Sequence, residues 1–179
     1  MKRKYNLALV PQTNADEVVS FARKFSSIAD KYLLGKNSNP HVTLYQFEAE
    51  EKEVDDIWAR ISDQWEEKLI TLEFSKLSCV TFDNITYWVS LLPDKSALLH
   101  KMHSHIADMI GLTVKKSFDP HMTLINSKNK DYRNEVQRLS PGYHTIADTF
   151  ILCLGRSDDV GQLIEILYHH ESVKICNSV

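Results

Sequence analysis

The sequence predicts an α+β fold of two similar lobes in a pseudo-twofold arrangement. Three observations carry this. The pentapeptide Pro40-His41-Val42-Thr43-Leu44 returns as Pro120-His121-Met122-Thr123-Leu124, 80 residues later, with only the central apolar residue changed. The run Tyr5 to Pro11 (YNLALVP) returns as Tyr87 to Pro93 (YWVSLLP), matching in the tyrosine, an apolar residue two places on and the closing proline. In each half a helical pattern separates the proline-ended run from the motif, across 30 residues from Pro11 to His41 and 28 from Pro93 to His121. An internal repeat of strand, helix and motif strand follows.

Taken in order, Tyr5 to Pro11 reads as a short buried strand ended by proline. Residues 14–34 read as a helix, because Val18, Phe21, Ala22, Phe25, Ile28, Ala29 and Tyr32 recur at three- and four-residue steps. Asn14 and Glu17 have the spacing of a capping box, and Gly35 stands where a helix would stop. The motif strand follows over 41–47, then a second helix over 50–66 with Val54, Ile57, Trp58, Ile61 and Trp65 on one side. Residues 69–74, 78–82 and 85–92 read as strands, the last two joined at the turn Asp83-Asn84. A long helix over 95–110 ends at Gly111, and the second motif strand runs over 121–125. A short helix over 129–139 stops before Pro141-Gly142, and 147–154 with 162–168 form a closing hairpin. Residues from about Glu171 read as a loose end. With no linker between the halves, one domain over 1–179 is expected, its lobes spanning about 1–84 and 85–170 with strands exchanged between them. Each lobe would pack helices on one face of a mostly antiparallel sheet.

Composition excludes several classes. At 43% hydrophobic and 25% charged the chain is an ordinary globular sequence, and five Gly and five Pro leave no low-complexity tract. A net charge of −3 argues against coating long nucleic acid by charge alone. Cys79, Cys153 and Cys176 are odd in number and lack CxxC spacing, so neither a disulfide framework nor a zinc site is expected. The start, MKRKYNLALVPQTN, lacks the apolar core and cleavage site of a signal peptide, and no apolar stretch is long enough to span a bilayer. The expectation is a soluble cytoplasmic monomer with no membrane partner.

The chemistry lies in the motif. Side chains alternate along a strand, so His41 and Thr43 share one face and Val42 and Leu44 the other, and likewise His121 and Thr123 against Met122 and Leu124. Two imidazoles, each able to be neutral or charged near neutral pH, suit acid–base chemistry at a phosphate ester. One takes a proton from the attacking oxygen and the other gives one to the leaving oxygen. In-line attack places them on opposite sides of phosphorus. Threonine hydroxyls can donate to the non-bridging oxygens. Neither a metal nor another cofactor is needed for this scheme.

PHVTL and PHMTL resemble the paired His-x-Thr signatures of the two-histidine (2H) phosphoesterases, a superfamily that includes 2′-5′ RNA ligase-like proteins and cyclic nucleotide phosphodiesterases. The resemblance runs from about Tyr5 to Tyr168. It implies a bilobal fold with two mostly antiparallel sheets lining a central cleft and helices outside. It also implies metal-independent cleavage of 2′,3′-cyclic phosphates on nucleotides or RNA ends, or of 2′-5′ linkages. His41 and His121 would be the acid–base pair and Thr43 and Thr123 the phosphate ligands. The same chemistry reversed would ligate RNA ends, and a cleft without turnover would be a nucleotide- or RNA-binding module.

Other residues divide between a site role and a structural one. Tyr45, four residues beyond His41, falls on the same strand face and can stack on a nucleobase or pack. Tyr5 and Tyr87 can rim the cleft or pack. Arg156, Lys36, Lys115 and Lys116 are candidates for phosphate contact, or surface charges. His100, His103 and His105 crowd one helix; a shared metal lacks a completing carboxylate or cysteine, so a solvated face is expected, as for His144, His169 and His170.

Overall fold

A computed structural model describes residues 1–66, 69–114 and 117–170. In chain order it contains β1 (Lys2–Pro11), α1 (Ala15–Arg23), β2 (Val42–Glu50), α2 (Glu51–Gln64), β3 (Ile70–Thr81) and β4 (Tyr87–Pro93). These are followed by α3 (Ser96–Ile110), β5 (Met122–Ser127), α4 (Tyr132–Leu139), β6 (Ile146–Ser157) and β7 (Leu163–His169).

The repeated units match pair for pair. β1 pairs antiparallel with β2, and β4 with β5. Leu7 faces Tyr45 and Ala8 faces Thr43; Val89 faces Ile125 and Ser90 faces Thr123. Leu44 and Leu124 are therefore squeezed out of their ladders at the same place in both halves. Such a bulge shifts the alternation by one residue. Ahead of it, Val42 and Met122 are buried under the helices; beyond it, Tyr45, Phe47 and Ile125 are buried there too. The expectation that Tyr45 shares the face of His41 is corrected by this bulge.

All seven strands lie in one hydrogen-bonded network, in the order β2-β1-β6-β3-β4-β5 with β7 on β6. The two expected sheets are its two wings, joined through β6. Ile146 to Phe150 of β6 pair with β3, and Phe150 to Arg156 pair with β1. Connections cross over as well. Asp30 N–H donates to Asn126 O (2.9 Å), Asn126 N–H to Tyr32 O (3.1 Å) and Leu34 N–H to Leu124 O (2.8 Å), so the segment before the first motif completes the edge of the second motif strand. Reciprocally, the Tyr45 hydroxyl donates to Thr113 O (2.7 Å) after α3.

This explains why α1 stops at Arg23, short of the expected 14–34 helix. The open edge of β5 needs partners for its backbone groups, and residues 30–34 supply them. The expected Asn14–Glu17 capping box is also replaced. Asn14 N–H donates to the Asp148 carboxylate (2.6 Å), and Glu17 meets His144 (2.8 Å). The second helix does carry a capping box, between Glu50 and Glu53. The expected strands 69–74 and 78–82 are one strand, β3, irregular between Phe74 and Lys76.

The main core lies between the sheet and its helices and includes Leu7, Leu9, Phe25, Leu44, Phe74, Leu99 and Phe150. A smaller cluster of Ala8, Val10, Ile151, Cys153 and Leu163 covers the opposite face of the first wing.

Candidate active site

His41 and His121 stand immediately before their motif strands. In both cases Nδ1–H donates to the carbonyl two residues back, Asn39 O for His41 and Asp119 O for His121, each at 2.7 Å. A carbonyl only accepts, so Nδ1 carries the proton and Nε2 is the nitrogen left for chemistry. Pro40 and Pro120, between donor and acceptor residues, fix φ in these short loops.

The environments differ. His41 is 5% exposed, whereas His121 is exposed. Burial pushes the His41 pKa down to about 4, the charge of His121 acts in the same direction, and the Asn39 and Gly161 carbonyls and Asp158 act against it. His41 is thus held neutral at neutral pH. The electrostatic action of His121 on His41 places the two imidazoles within reach of each other. Thr43 is half-buried, and Thr123, 7% exposed, lines a cavity together with His121.

Beside His121 and Thr123 a cavity of about 260 Å³ opens against the second wing. Ser78 and Val80 of β3 line it with Trp88, Ser90 and Leu92 of β4, and Phe82 from the turn between the strands. Val160 and Gln162, on the connection from β6 to β7, close its other side. That connection is folded on itself: the Asp158 carboxylate accepts from Val160 N–H (3.0 Å) and Gln162 N–H (2.8 Å). It is also fastened to the first wing. Asn6 donates to Gly161 O (2.7 Å), Lys4 to Asp159 O (2.8 Å) and Gln46 to the Ser157 hydroxyl (3.1 Å).

His121 and Thr123 thus line one cavity, His41 lies within electrostatic reach of His121, and other candidates lie elsewhere. Tyr45 is 5% exposed, and its ring stacks on His103 at 5.1 Å rather than facing the cleft. His103 departs from the expected solvated face: it is 2% exposed, stacked on Phe118 at 4.2 Å, and donates through Nδ1 to Leu44 O at 2.6 Å. His100 and His105 of the same helix stay exposed, as do His144 and His169; His170 is half-buried against Ser62 O. The Arg156 guanidinium is taken by Glu51 (2.7 Å) and Glu165 (2.8 Å). Tyr5 is fully buried, and Tyr87 stacks on Tyr132 at 4.4 Å. Lys36 is exposed, while Lys115, Lys116, Cys176 and the tail from Glu171 lie outside the described residues. Trp88, Phe82, Gly161 and Gln162 escaped sequence reasoning. The one available signal was Asn6 against Trp88, a mismatch inside the repeated heptapeptide. Among the described residues no three His, Cys, Asp or Glu side chains gather to hold a metal ion, and no helix is long and apolar enough to cross a membrane.

Comparison with known proteins places this geometry. No curated protein sequence matches the chain. Among solved structures, LigT of Escherichia coli complexed with 3′-AMP is 12% identical with a TM-score of 0.61, the match covering 88% of this chain and 90% of that one. LigT of E. coli complexed with phosphate is 14% identical with a TM-score of 0.60, covering 94% and 96%. A structure described as a phosphoesterase is 12% identical with a TM-score of 0.56, covering 94% and 97%. At these identities the likeness is one of fold. The family model for the 2′-5′ RNA ligase superfamily matches residues 12–149. That span takes in both bulged motif strands and the helices behind them, and the chain belongs to the 2′-5′ RNA ligase superfamily, the two-histidine phosphoesterases, whose activities are of the phosphoesterase or RNA ligase type.

Proposed function

We propose that the protein hydrolyses cyclic phosphodiesters, the 2′,3′-cyclic phosphates of nucleotides or RNA ends, or 2′-5′ linkages, by metal-independent two-histidine catalysis. The observation that carries this reading is the pair of imidazoles with identical Nδ1 tethers, one in each repeat, with His121 lining the cavity and His41 within electrostatic reach of it. His41, neutral because it is buried, takes a proton from the attacking water as the water oxygen bonds to phosphorus. The phosphorus–ribose oxygen bond breaks on the opposite side, and protonated His121 gives its proton to the departing oxygen. The products are a phosphomonoester and a free hydroxyl, and both histidines recover their protonation from solvent. Thr43 and Thr123 donate to the non-bridging oxygens as charge builds on them. LigT complexed with 3′-AMP and with phosphate supports the choice of ligand class.

The test is turnover of 2′,3′-cyclic nucleotides and a 2′-5′ linked dinucleotide, with and without EDTA. Turnover should survive EDTA and fall by about 10²–10⁴ in either His41→Ala or His121→Ala. Replacing the leaving ribose by p-nitrophenolate, which departs without a proton, should rescue His121→Ala and leave His41→Ala impaired. Joining of a 2′,3′-cyclic end to a 5′-hydroxyl end, without hydrolysis, would reassign the protein to ligation by the same pair. Binding across the panel without turnover would make it a binding module.

A further inference from the structure

The two halves of the cleft are built alike and finished differently. In the first half, Asn6 and Gln46 sit side by side on β1 and β2, and the connection from β6 to β7 lies over them. The fit is close: a Cβ on Gly161 would stand 2.8 Å from the Gln46 amide. In the second half the corresponding neighbours are Trp88 and Asn126, and over Trp88 lies the open cavity. What the protein fills with its own chain in one half it leaves vacant in the other.

We propose that the base of a nucleoside phosphate occupies this cavity, over Trp88, in the place that the 158–162 turn takes in the first half. The inference rests on the phosphoesterase reading above for the phosphate, and on the cavity alone for the base. The walls suit a flat ring. Trp88 is half-buried, Leu92 lines the cavity with it, and Val80 and Phe82 remain 37% and 86% exposed, large apolar surface left beside a polar centre. Gln162, 6% exposed, stands in the opposite wall. No Lys or Arg stands among the described lining residues, so the site favours a neutral ring over a second phosphate. The volume, about 260 Å³, lies just under the usual range for small-molecule sites and has room for one base.

The placement also orients the reaction. A base over Trp88 draws its own ribose to the His121 side of the phosphate. The oxygen that leaves belongs to that ribose, so His121 is the acid, and water attacks from the side of His41. This agrees with the roles that burial alone assigns to the two histidines.

The experiment compares kcat/KM for a 2′,3′-cyclic nucleotide with that for glycerol 1,2-cyclic phosphate, which has the same cyclic ester and no base. The wild type should prefer the nucleotide by about tenfold or more, and Trp88→Leu should bring the ratio near one, while Trp88→Phe, which keeps a ring, retains most of it. A ratio near one in the wild type, or an unchanged ratio in Trp88→Leu, would overturn the proposal. If Trp88→Leu does not fold, the same ratio in Phe82→Ser, which removes an exposed ring from the cavity lining, decides: a fall supports the proposal and no change overturns it. If the wild type turns over neither substrate, the phosphoesterase reading fails and binding decides this inference separately. Calorimetric affinity for a nucleoside 3′-monophosphate about tenfold above that for inorganic phosphate, lost in Trp88→Leu, would sustain it, and equal affinities would end it.

Discussion

His41 carries a stability consequence along with its chemistry. Its pKa in the folded protein is lowered to about 4 from an ordinary value near 6.5, so between these values the unfolded chain binds more protons than the folded one. The penalty is absent above about pH 6.5, grows as pH falls, and is complete below about pH 4, where it reaches about 3 kcal/mol. Urea unfolding should therefore show wild-type stability falling by about 2 kcal/mol between about pH 7 and pH 5 through this one group, and His41→Gln should remove that share of the slope. The same shift places the acid limb of kcat/KM near pH 4 rather than near 6.5, which a pH–rate profile reads directly. At this scale the duplicated motif singled out His41, Thr43, His121 and Thr123 as candidates. It could not show that one histidine is buried and the other open, because that difference comes from the 158–162 connection, distant in sequence and without a repeat partner. Trp88 was hidden for a related reason. Beside Asn6 it looked like a failed match, whereas the mismatch marks where the two halves cease to be equivalent.

The elements most readily read from sequence were those whose periodicity agrees with their tertiary setting. Helix α3 runs from Ser96 to Ile110, and Gly111 ends it in the left-handed conformation at φ 70°, as its position suggested. Helix α1 was overread because Phe25, Ile28 and Tyr32 keep a helical spacing while the chain around them turns and pairs with β5. The bulges at Leu44 and Leu124 left no trace in residue type, since leucine is unremarkable in either phase of a strand. His103 makes sense only with the bulge known, because its imidazole binds the carbonyl that the bulge exposes. The connection over Asn6 and Gln46 depends on one glycine. Gly161 has φ 94°, in the left-handed region, and its α-carbon approaches the Gln46 amide too closely for a side chain. Gly161→Ala should cost about 1–3 kcal/mol in urea unfolding and lower kcat/KM as the cover over His41 loosens. A stable variant with wild-type turnover would mean that the connection does not shape the site.

At the scale of the whole molecule, β6 belongs to both wings. Phe150 pairs with Pro11 on one side and Ile70 on the other, and its ring packs on Phe74 at 5.8 Å. Phe150→Ala should lower stability by about 3–5 kcal/mol. Because the wings share this strand, they should unfold together: probes on Trp58 behind the first wing and on Trp88 in the second should give coincident transitions, and separated midpoints would show two independent units. Shared β6 has a further consequence for how the cleft works. Two jaws on a linker could open and close around ligands of different bulk. Here a continuous hydrogen-bonded ladder sets the spacing between the histidines, so the gap behaves as a fixed gauge. The two wings would then hold a phosphate between the histidines without closing on each other. One residue inserted into β6 near Phe150 would reset that gauge while leaving every catalytic side chain in the sequence.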